Sequence, residues 1–147
     1  MAKVLVVYYS GTGNTKAMAE AVADGAESVI GPGVVVKEAQ DATVDDLVGA
    51  DAIAVGTPDH FSYMNGYIKL LFDKGWLRRK ELYGKVWGAF SSGGVDGIKS
   101  RESVEWVIDH FKVKKIVPGV SVAGKPGPDQ LAACKSMGVA LARALSQ

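Results

Sequence analysis

The chain alternates short, continuous apolar segments with longer segments whose apolar residues recur every three or four positions. Val4–Tyr8 is an unbroken apolar run rich in β-branched residues, typical of a strand that is buried on both faces of a parallel sheet. Further strands are predicted at 34–37, 51–57, 86–91 and 115–122. Pro118 interrupts the last of these and lacks a backbone N–H group, so we expect that strand at an edge of the sheet.

Helices are predicted between the strands. Their ranges are 16–26, 44–47, 65–74 and 99–111, followed by a helix that begins at Pro128. Thr43 or Asp41 is expected to cap the second helix, and Gly75 to end the third. Five strand–helix units with short connections predict an α/β fold, a doubly wound parallel sheet of five strands with helices on both faces. We expect residues 1–147 to form a single domain.

The composition fits a compact globular protein. Of its 147 residues, 48% are hydrophobic and 22% are charged, which argues against disorder. No apolar run reaches the roughly 18 residues of a membrane span, and the first strand begins too early for a signal peptide to precede it. Cys134 is the single cysteine, so no internal disulfide can form. We therefore expect a cytoplasmic protein that does not associate with membranes.

The net charge of +1 argues against a strongly basic surface for nucleic acid. Basic residues are nevertheless grouped at 78–80 and at Lys112, Lys114 and Lys115. These groups are interpreted either as ordinary solvated surface or as a docking face for an acidic partner.

The segment 10–15 carries the clearest chemical signal. Its sequence, Ser-Gly-Thr-Gly-Asn-Thr, lies between the first strand and the first helix. The first turn of a helix has free backbone N–H groups and partial positive charge, so this is a place where anions bind. The hydroxyl and amide side chains add donors, and the glycines allow the backbone to approach a ligand closely.

The spacing within this segment discriminates between classes of phosphate site. The P-loop of nucleoside triphosphatases requires glycines at a different spacing. Gly11 and Gly13 fit the first two glycines of the Rossmann fingerprint, but Lys16 stands where that pattern has its third. A single terminal phosphate therefore fits better than a triphosphate or a pyrophosphate. The simpler alternative is an ordinary helix cap, which requires only one such polar residue.

This segment resembles the phosphate loop of flavodoxins, which bind FMN, and the resemblance extends over nearly the whole chain. It implies strand order 2-1-3-4-5, with FMN at the point where the order reverses between strands 1 and 3. The segments 57–61 (Thr-Pro-Asp-His-Phe) and 91–94 (Ser-Ser-Gly-Gly) stand where this family places its two isoalloxazine-binding loops. Residues 55–58, with Phe61 and Met64, and later 82–85 and 90–92, are similar to the flavodoxin-like NAD(P)H:quinone oxidoreductases.

The resemblance implies a set of cofactor-binding residues and no catalytic or metal-binding ones. The set is Ser10, Gly11, Thr12, Gly13, Asn14, Thr15, Thr57, Pro58, Asp59, His60, Phe61, Ser91, Ser92, Gly93, Gly94 and Val95. Phe61 or Tyr63 is the candidate for stacking on the flavin ring, since the tryptophan and tyrosine that usually cover its two faces are missing. The three tryptophans, Trp76, Trp87 and Trp106, are interpreted as core or interface residues.

Two functions are considered. The first is an FMN-containing electron carrier between redox proteins, with flavoproteins or iron–sulfur proteins as partners. The alternative is an FMN-dependent NAD(P)H:quinone oxidoreductase. The carrier is favoured because the quinone reductases have an additional segment before strand 3, where this chain has only residues 41–50.

Overall fold

The computed structural model describes residues 3–146. The strands and helices alternate along nearly the whole of this range. In chain order they are β1 (Val4–Tyr8), α1 (Asn14–Ile30), β2 (Val34–Glu38), α2 (Val44–Gly49), β3 (Ala52–Pro58), α3 (Gly66–Trp76), β4 (Val86–Gly93), α4 (Ile98–Asp109), β5 (Lys114–Lys115), β6 (Val120–Ala123) and α5 (Pro128–Ala144). A short 3₁₀ turn, Arg79–Glu81, follows α3. No helix in this part of the chain is long and apolar enough to cross a membrane.

The strands form one parallel sheet in the order β2-β1-β3-β4-β5, and β6 also pairs with β4. The predicted fold class and strand order are confirmed. The predicted strand 115–122 lies at the edge of the sheet, as expected, but it is divided into two short strands. Lys114 pairs with Val86 and Val120 with Phe90, and Pro118 lies between them with no N–H group to donate.

The sheet is covered on both faces, and each face has its own hydrophobic core. Val4, Val6 and Phe90 face α1 and α5, together with Met18 and Leu141 from those helices. The alternate strand residues face the opposite side and pack against α2, α3 and α4. These include Leu5, Val7, Ile53, Trp87, Leu71, Phe72, Ile108 and Phe111. Side chains that alternate between two cores explain why the strands are apolar at successive positions rather than at every second one.

Helices α1 and α5 approach each other closely at two glycines. A Cβ atom on Gly138 would lie 1.9 Å from the carbonyl oxygen of Val22, and one on Gly25 would lie 2.0 Å from that of Lys135. Only glycine permits this contact between the two helix backbones. The packing fixes α1 against the sheet, and with it the loop that precedes α1.

Several predicted bounds differ from the structure. Helix α1 begins two residues earlier than predicted and continues to Ile30. The prediction that Gly75 ends the third helix is wrong, because Gly75 lies inside α3, buried beside Leu82 and Leu47. Thr43, not Asp41, caps α2, where its side chain accepts a hydrogen bond from the backbone N–H of Asp46.

Candidate functional site

Three loops meet at one edge of the sheet. Strands β1, β3 and β4 are parallel neighbours, so the segments that follow their carboxyl ends lie side by side. We call them the phosphate loop (10–15), the second loop (59–64) and the third loop (94–97). Strand β2 lies on one side of β1 and strand β3 on the other, so this edge contains the point where the strand order reverses. This is the place where open α/β sheets bind ligands.

The strands reach further toward this edge than predicted. Thr57 pairs with Ser91 and Pro58 with Ser92 in the β3–β4 ladder, and Gly93 is the last residue of β4. Pro58, Ser92 and Gly93, which lie beyond the predicted strands, therefore belong to the strand ends. The ladder continues into the second loop, where the backbone N–H of Asp59 donates to the carbonyl oxygen of Ser92 over 2.8 Å. The second and third loops consequently begin from a rigid, hydrogen-bonded base.

The phosphate loop leaves the amino end of α1 open. Gly13 occupies the N-cap position with φ +98°, no side chain caps the helix, and no acidic residue lies in its first turn. The hydroxyl of Ser10 accepts a hydrogen bond from the N–H of Gly13 over 3.0 Å, which shapes the turn. Gly11 and Thr12 are exposed, and Asn14 is half-buried. The free N–H groups of the first turn are thus available to an anion.

Helix α2 shows the contrast within the same molecule. There the side chain of Thr43 caps the helix, and Asp45 and Asp46 lie in the first turn. Its amino end is satisfied by the chain itself, whereas the amino end of α1 has neither a side-chain cap nor a negative charge.

Thr15, the last residue of the phosphate loop, connects the loop to the end of β4. Its side chain is buried, and its hydroxyl lies 2.8 Å from the hydroxyl of Ser92, which is also buried. These two residues are 77 positions apart in the sequence. The hydrogen bond ties α1 to the strand from which the third loop emerges.

The second loop turns sharply at two residues with left-handed backbone. Phe61 and Ser62 have φ values of +60° and +62°, as in a type I′ turn. The backbone groups of His60 and Tyr63 exchange two hydrogen bonds across the turn, of 3.0 and 3.2 Å. A carboxylate oxygen of Asp59 accepts a further one from the N–H of Ser62 over 2.7 Å. The turn presents the side chain of Phe61 fully exposed to solvent.

The hydroxyl of Thr57 is used within the protein at the base of this loop. It donates to the carbonyl oxygen of Pro58 over 2.7 Å and accepts a hydrogen bond from the N–H of Asn65 over 2.9 Å. The hydroxyl of Ser91 is also bonded within the protein. It donates to the carbonyl oxygen of Gly97 over 2.7 Å and lies 2.8 Å from the hydroxyl of Ser121. These two predicted site residues are completely buried, so their hydroxyls shape the loops.

The third loop is held by Asp96, whose carboxylate accepts a hydrogen bond from the N–H of Ile98 over 2.9 Å. Gly97 follows with φ +70° and caps α4. Gly94 and Val95 are exposed. A cleft of about 570 Å³ separates this loop from the second loop, with Phe61 and Val95 among its lining residues. Its volume is in the range of small-molecule sites.

Aromatic residues that the sequence analysis did not assign to the site lie beside the second loop. The ring of Tyr9 stacks on that of Tyr67, with 5.9 Å between the ring centroids, and meets the ring of His60 edge-on at 6.0 Å. Tyr9 was detectable because it directly precedes the phosphate loop. Tyr67 carried no such signal, since only the packing of α3 brings it to this edge.

The tryptophans lie away from the three loops. Trp87 is completely buried in the core between the sheet and α3, as predicted. Trp76 and Trp106 are 41% and 68% exposed, and both line a shallow groove between α3 and α4. The guanidinium of Arg79 lies 4.7 Å from the ring centroid of Trp76.

The two basic groups lie at the opposite end of the molecule. Residues 78–80 follow the carboxyl end of α3, and Lys114 pairs with Val86, the first residue of β4. Arg78 forms ion pairs with Asp45 and Glu81, and Lys115 forms one with Asp109. The hydrogen bonds to Glu81 and Asp45 raise the pKa of Arg78. Part of this positive charge is therefore compensated locally, and it does not surround the three loops.

The described residues contain no group of three or more histidine, cysteine or acidic side chains that could hold a metal ion. Cys134 is buried, and this burial raises the pKa of its thiol to about 12. The thiol therefore stays protonated at neutral pH and is a packing residue of the core between α5 and the sheet.

Comparison with known proteins gives a consistent result. A family model described as flavodoxin matches residues 6–135, and it implies a flavin cofactor. A flavodoxin of Aquifex aeolicus is 41% identical over 102 residues, which are 64% of this chain and 51% of that protein. The chain thus spans about half the length of this curated relative.

Solved structures agree in fold over the full length. A flavodoxin from the domain Archaea superposes with a TM-score of 0.85 at 30% identity and covers 99% of both chains. The flavodoxin of Megasphaera elsdenii gives a TM-score of 0.80 at 28% identity, over 95% of this chain and 98% of that one. From the matched family model, the shared strand order and the phosphate loop at the amino end of α1, we conclude that this chain belongs to the flavodoxin family.

Proposed function

We propose that this protein binds FMN at the three-loop edge and carries electrons between redox proteins in the cytoplasm. One observation carries the proposal: the open amino end of α1, without a side-chain cap or an acid, shares one edge of the sheet with two exposed loops. An anion-binding turn and a cleft for a flat ring are thus adjacent, as the two parts of FMN require.

The donors of the phosphate loop fit a terminal phosphate. The backbone N–H groups of the first turn of α1 and the side chains of Ser10, Thr12 and Asn14 would bind the phosphate oxygens. Space is available for it, since a Cβ atom on Gly11 or Gly13 would meet nothing within 4 Å. Each charge-assisted hydrogen bond is worth about 1.5–3 kcal/mol. The phosphate therefore supplies much of the expected affinity.

The second and third loops would hold the ring. FMN, when bound, supplies a flavin that accepts and donates electrons. Phe61 offers an aromatic face, and exposed backbone groups of the third loop offer hydrogen bonds to the polar edge of the ring. The rigid base of the two loops, provided by the β3–β4 ladder, holds the ring in a defined position.

The short connection before β3 supports a carrier over a quinone reductase. Residues 41–50 consist of little more than α2, a helix of six residues that packs on the same face of the sheet as α3. A carrier needs only an exposed flavin edge, whereas a quinone reductase also needs a site for its substrates beside the ring. The proposed partners are flavoproteins or iron–sulfur proteins that reach this edge.

The phosphate assignment is tested by comparing FMN with riboflavin, which lacks the phosphate. The double variant Thr12→Val with Asn14→Ala is expected to raise the FMN dissociation constant about 100-fold or more, because two charge-assisted hydrogen bonds are lost. Riboflavin affinity should change less than about threefold, as should both affinities in the control Ser28→Ala, at the far end of α1. Equal losses for both ligands would contradict the phosphate assignment.

The carrier is tested by steady-state kinetics with purified donors. We expect rapid reduction of the FMN protein by a flavoprotein or iron–sulfur donor and little oxidation of NAD(P)H with free quinones. Turnover of NAD(P)H with quinone at the rate of an ordinary enzyme, on the order of 10 per second, would instead establish the quinone oxidoreductase.

A further inference from the structure

Asn65 connects three parts of the site through three separate groups. It is buried at the N-cap of α3, where its side-chain oxygen accepts a hydrogen bond from the N–H of Tyr67 over 2.8 Å. Its own backbone N–H donates to the hydroxyl of Thr57 at the end of β3. Its side-chain nitrogen lies 3.4 Å from Nδ1 of His60 in the second loop.

This arrangement determines which nitrogen of His60 carries the proton. The N–H of Tyr67 can only donate, so the Asn65 oxygen must face it, and the Asn65 NH₂ group must face His60. An NH₂ group only donates, and its partner Nδ1 must therefore be an acceptor without a proton. In the neutral ring the proton is consequently on Nε2.

His60 lies where the flavin is expected. It follows β3, its ring meets that of Tyr9 after β1, and it is exposed to solvent. Two side chains contact its ring, those of Asn65 at the N-cap of α3 and Tyr9. Asp59 precedes it in the second loop, where the carboxylate of Asp59 accepts a hydrogen bond from the N–H of Ser62. Within the described residues Nε2 has no hydrogen-bond partner in the protein.

We propose that Asn65 is a positioning residue that holds His60 as the Nε2–H tautomer, so that the free edge of the ring is a neutral hydrogen-bond donor toward the bound flavin. The inference rests on the proposed function for the identity of the ligand, FMN, whereas the Asn65–His60 contact is a feature of the protein alone. A donor at this place stabilises negative charge on the flavin. It therefore strengthens the binding of reduced FMN relative to oxidised FMN.

His110 provides an internal contrast. Its Nδ1 lies 2.9 Å from the carbonyl oxygen of Trp106, which can only accept. His110 must therefore carry its proton on Nδ1, opposite to His60. It lies at the end of α4, away from the three loops. The chain has two histidines, so both tautomers can be assigned in one spectrum.

The geometry is tested by nitrogen-15 NMR of the imidazoles in the FMN-free protein above the pH at which they titrate. We expect the Nε2–H pattern for His60 and the Nδ1–H pattern for His110. Asn65→Asp keeps an N-cap oxygen but replaces the donor by an acceptor, so His60 should change to Nδ1–H while His110 does not. Nδ1–H at His60 in the unmodified protein, or no change in the variant, would overturn the inference.

The consequence is tested in the FMN-loaded protein by the potential of the flavin. His60→Phe keeps an aromatic ring against Tyr9 but removes the donor. It is expected to weaken the binding of reduced FMN relative to oxidised FMN about tenfold, which lowers the two-electron potential of the flavin by about 30 mV. Asn65→Asp is then measured both with His60 present and in the His60→Phe variant. In the His60→Phe variant only the added charge of the aspartate acts on the flavin, so Asn65→Asp should lower the potential more when His60 is present. If the effects of Asn65→Asp and His60→Phe on the potential were additive, the inference would be overturned. Failure of the unmodified protein to bind FMN would overturn the proposed function, but it would not affect the NMR result.

Discussion

Phe61 combines two unfavourable features at one residue. Its backbone has φ +60°, which costs about 1–2 kcal/mol for a residue other than glycine, and its large apolar side chain is fully exposed. Neither feature improves the packing of the protein itself. Non-glycine residues with such backbone are found at sites where structure serves binding. The turn is thus locally destabilising, and it places the ring of Phe61 at the cleft.

Replacing Phe61 by alanine tests this interpretation. The dissociation constant for FMN should rise about tenfold, near 1.4 kcal/mol, because the stacking surface is lost. Leu77→Ala is the matched control, since Leu77 is also a large exposed apolar residue but follows α3 at the other end of the molecule. Titration of flavin fluorescence measures both affinities, and unchanged binding by Phe61→Ala would remove Phe61 from the site.

At the scale of elements, the contact between α1 and α5 is decisive because α1 carries the phosphate loop. Gly138→Ala would place a methyl group 1.9 Å from the carbonyl oxygen of Val22, so the helices must separate. We expect the free energy of unfolding to fall by about 1–3 kcal/mol, as for other overpacked cores.

The control for this prediction is Gly49→Ala in α2, where a Cβ atom would meet nothing within 4 Å. It should leave stability unchanged or raise it by up to about 1 kcal/mol, because alanine favours helix. Urea denaturation of both variants is the measurement. A similar change in both would show that helix propensity, rather than the close approach, determines the effect.

The amino end of α2 makes stability depend on pH. Desolvation raises the pKa of Asp46, but hydrogen bonds from Lys37 and from the backbone and side chain of Thr43 outweigh it, so the pKa lies below its ordinary value. A carboxyl with a lowered pKa in the folded state stabilises the protein above its unfolded pKa, about 3.9. That contribution is lost as the pH falls through the lower, folded value.

Asp46→Asn should therefore lower the free energy of unfolding at pH 7 and have a progressively smaller effect at acid pH, as the pH falls through the lowered pKa and the carboxyl of the unmodified protein becomes protonated. Asp24→Asn, at an exposed position of α1, is the control and should have little effect at either pH. Denaturation curves at neutral and at acid pH measure the difference. An equal loss at both would assign the effect of Asp46 to something other than its charge.

At the scale of the whole molecule, charge is distributed without a strong field at the site. The net charge is +1, and the basic groups near β4 and β5 lie at the end of the sheet opposite the three loops. Asp59, Asp96, Lys99 and Glu102 around the cleft include both signs. Long-range steering grows with charge, so encounters with partners should depend weakly on ionic strength.

The prediction is a change of less than about threefold in the rate of reduction by an iron–sulfur donor between low and high salt. Lys99→Glu at the cleft should make the salt dependence steeper, whereas Lys80→Glu at the opposite end should not. Stopped-flow traces over a range of salt concentrations measure this. A steep dependence in the unmodified protein, or an equal effect of both variants, would place the docking surface elsewhere.

The sequence by itself determined most of the strands and helices and predicted the class of site. Apolar runs of strand length, helical spacing and the Ser-Gly-Thr-Gly-Asn-Thr segment are local properties, and each depends on residues within about one helical turn or one strand. From them follow the α/β fold, the edge position of the predicted strand 115–122 and the prediction of an anion site at the start of α1. The same local signals misplaced Gly75, because its burial beside Leu82 and Leu47 depends on packing rather than on propensity.

Only the tertiary structure decided how the site residues are used. The Thr15–Ser92 hydrogen bond joins residues 77 positions apart, and no periodicity in a single sequence predicts such a pair. The hydroxyls of Thr57 and Ser91 are bonded within the protein for the same reason, since packing buries them beside the backbone of the loops. The left-handed turn at Phe61 and the contact of Asn65 with His60 depend on where β3 ends and α3 begins. These positions follow from packing against the rest of the chain, and packing is a property of the folded whole.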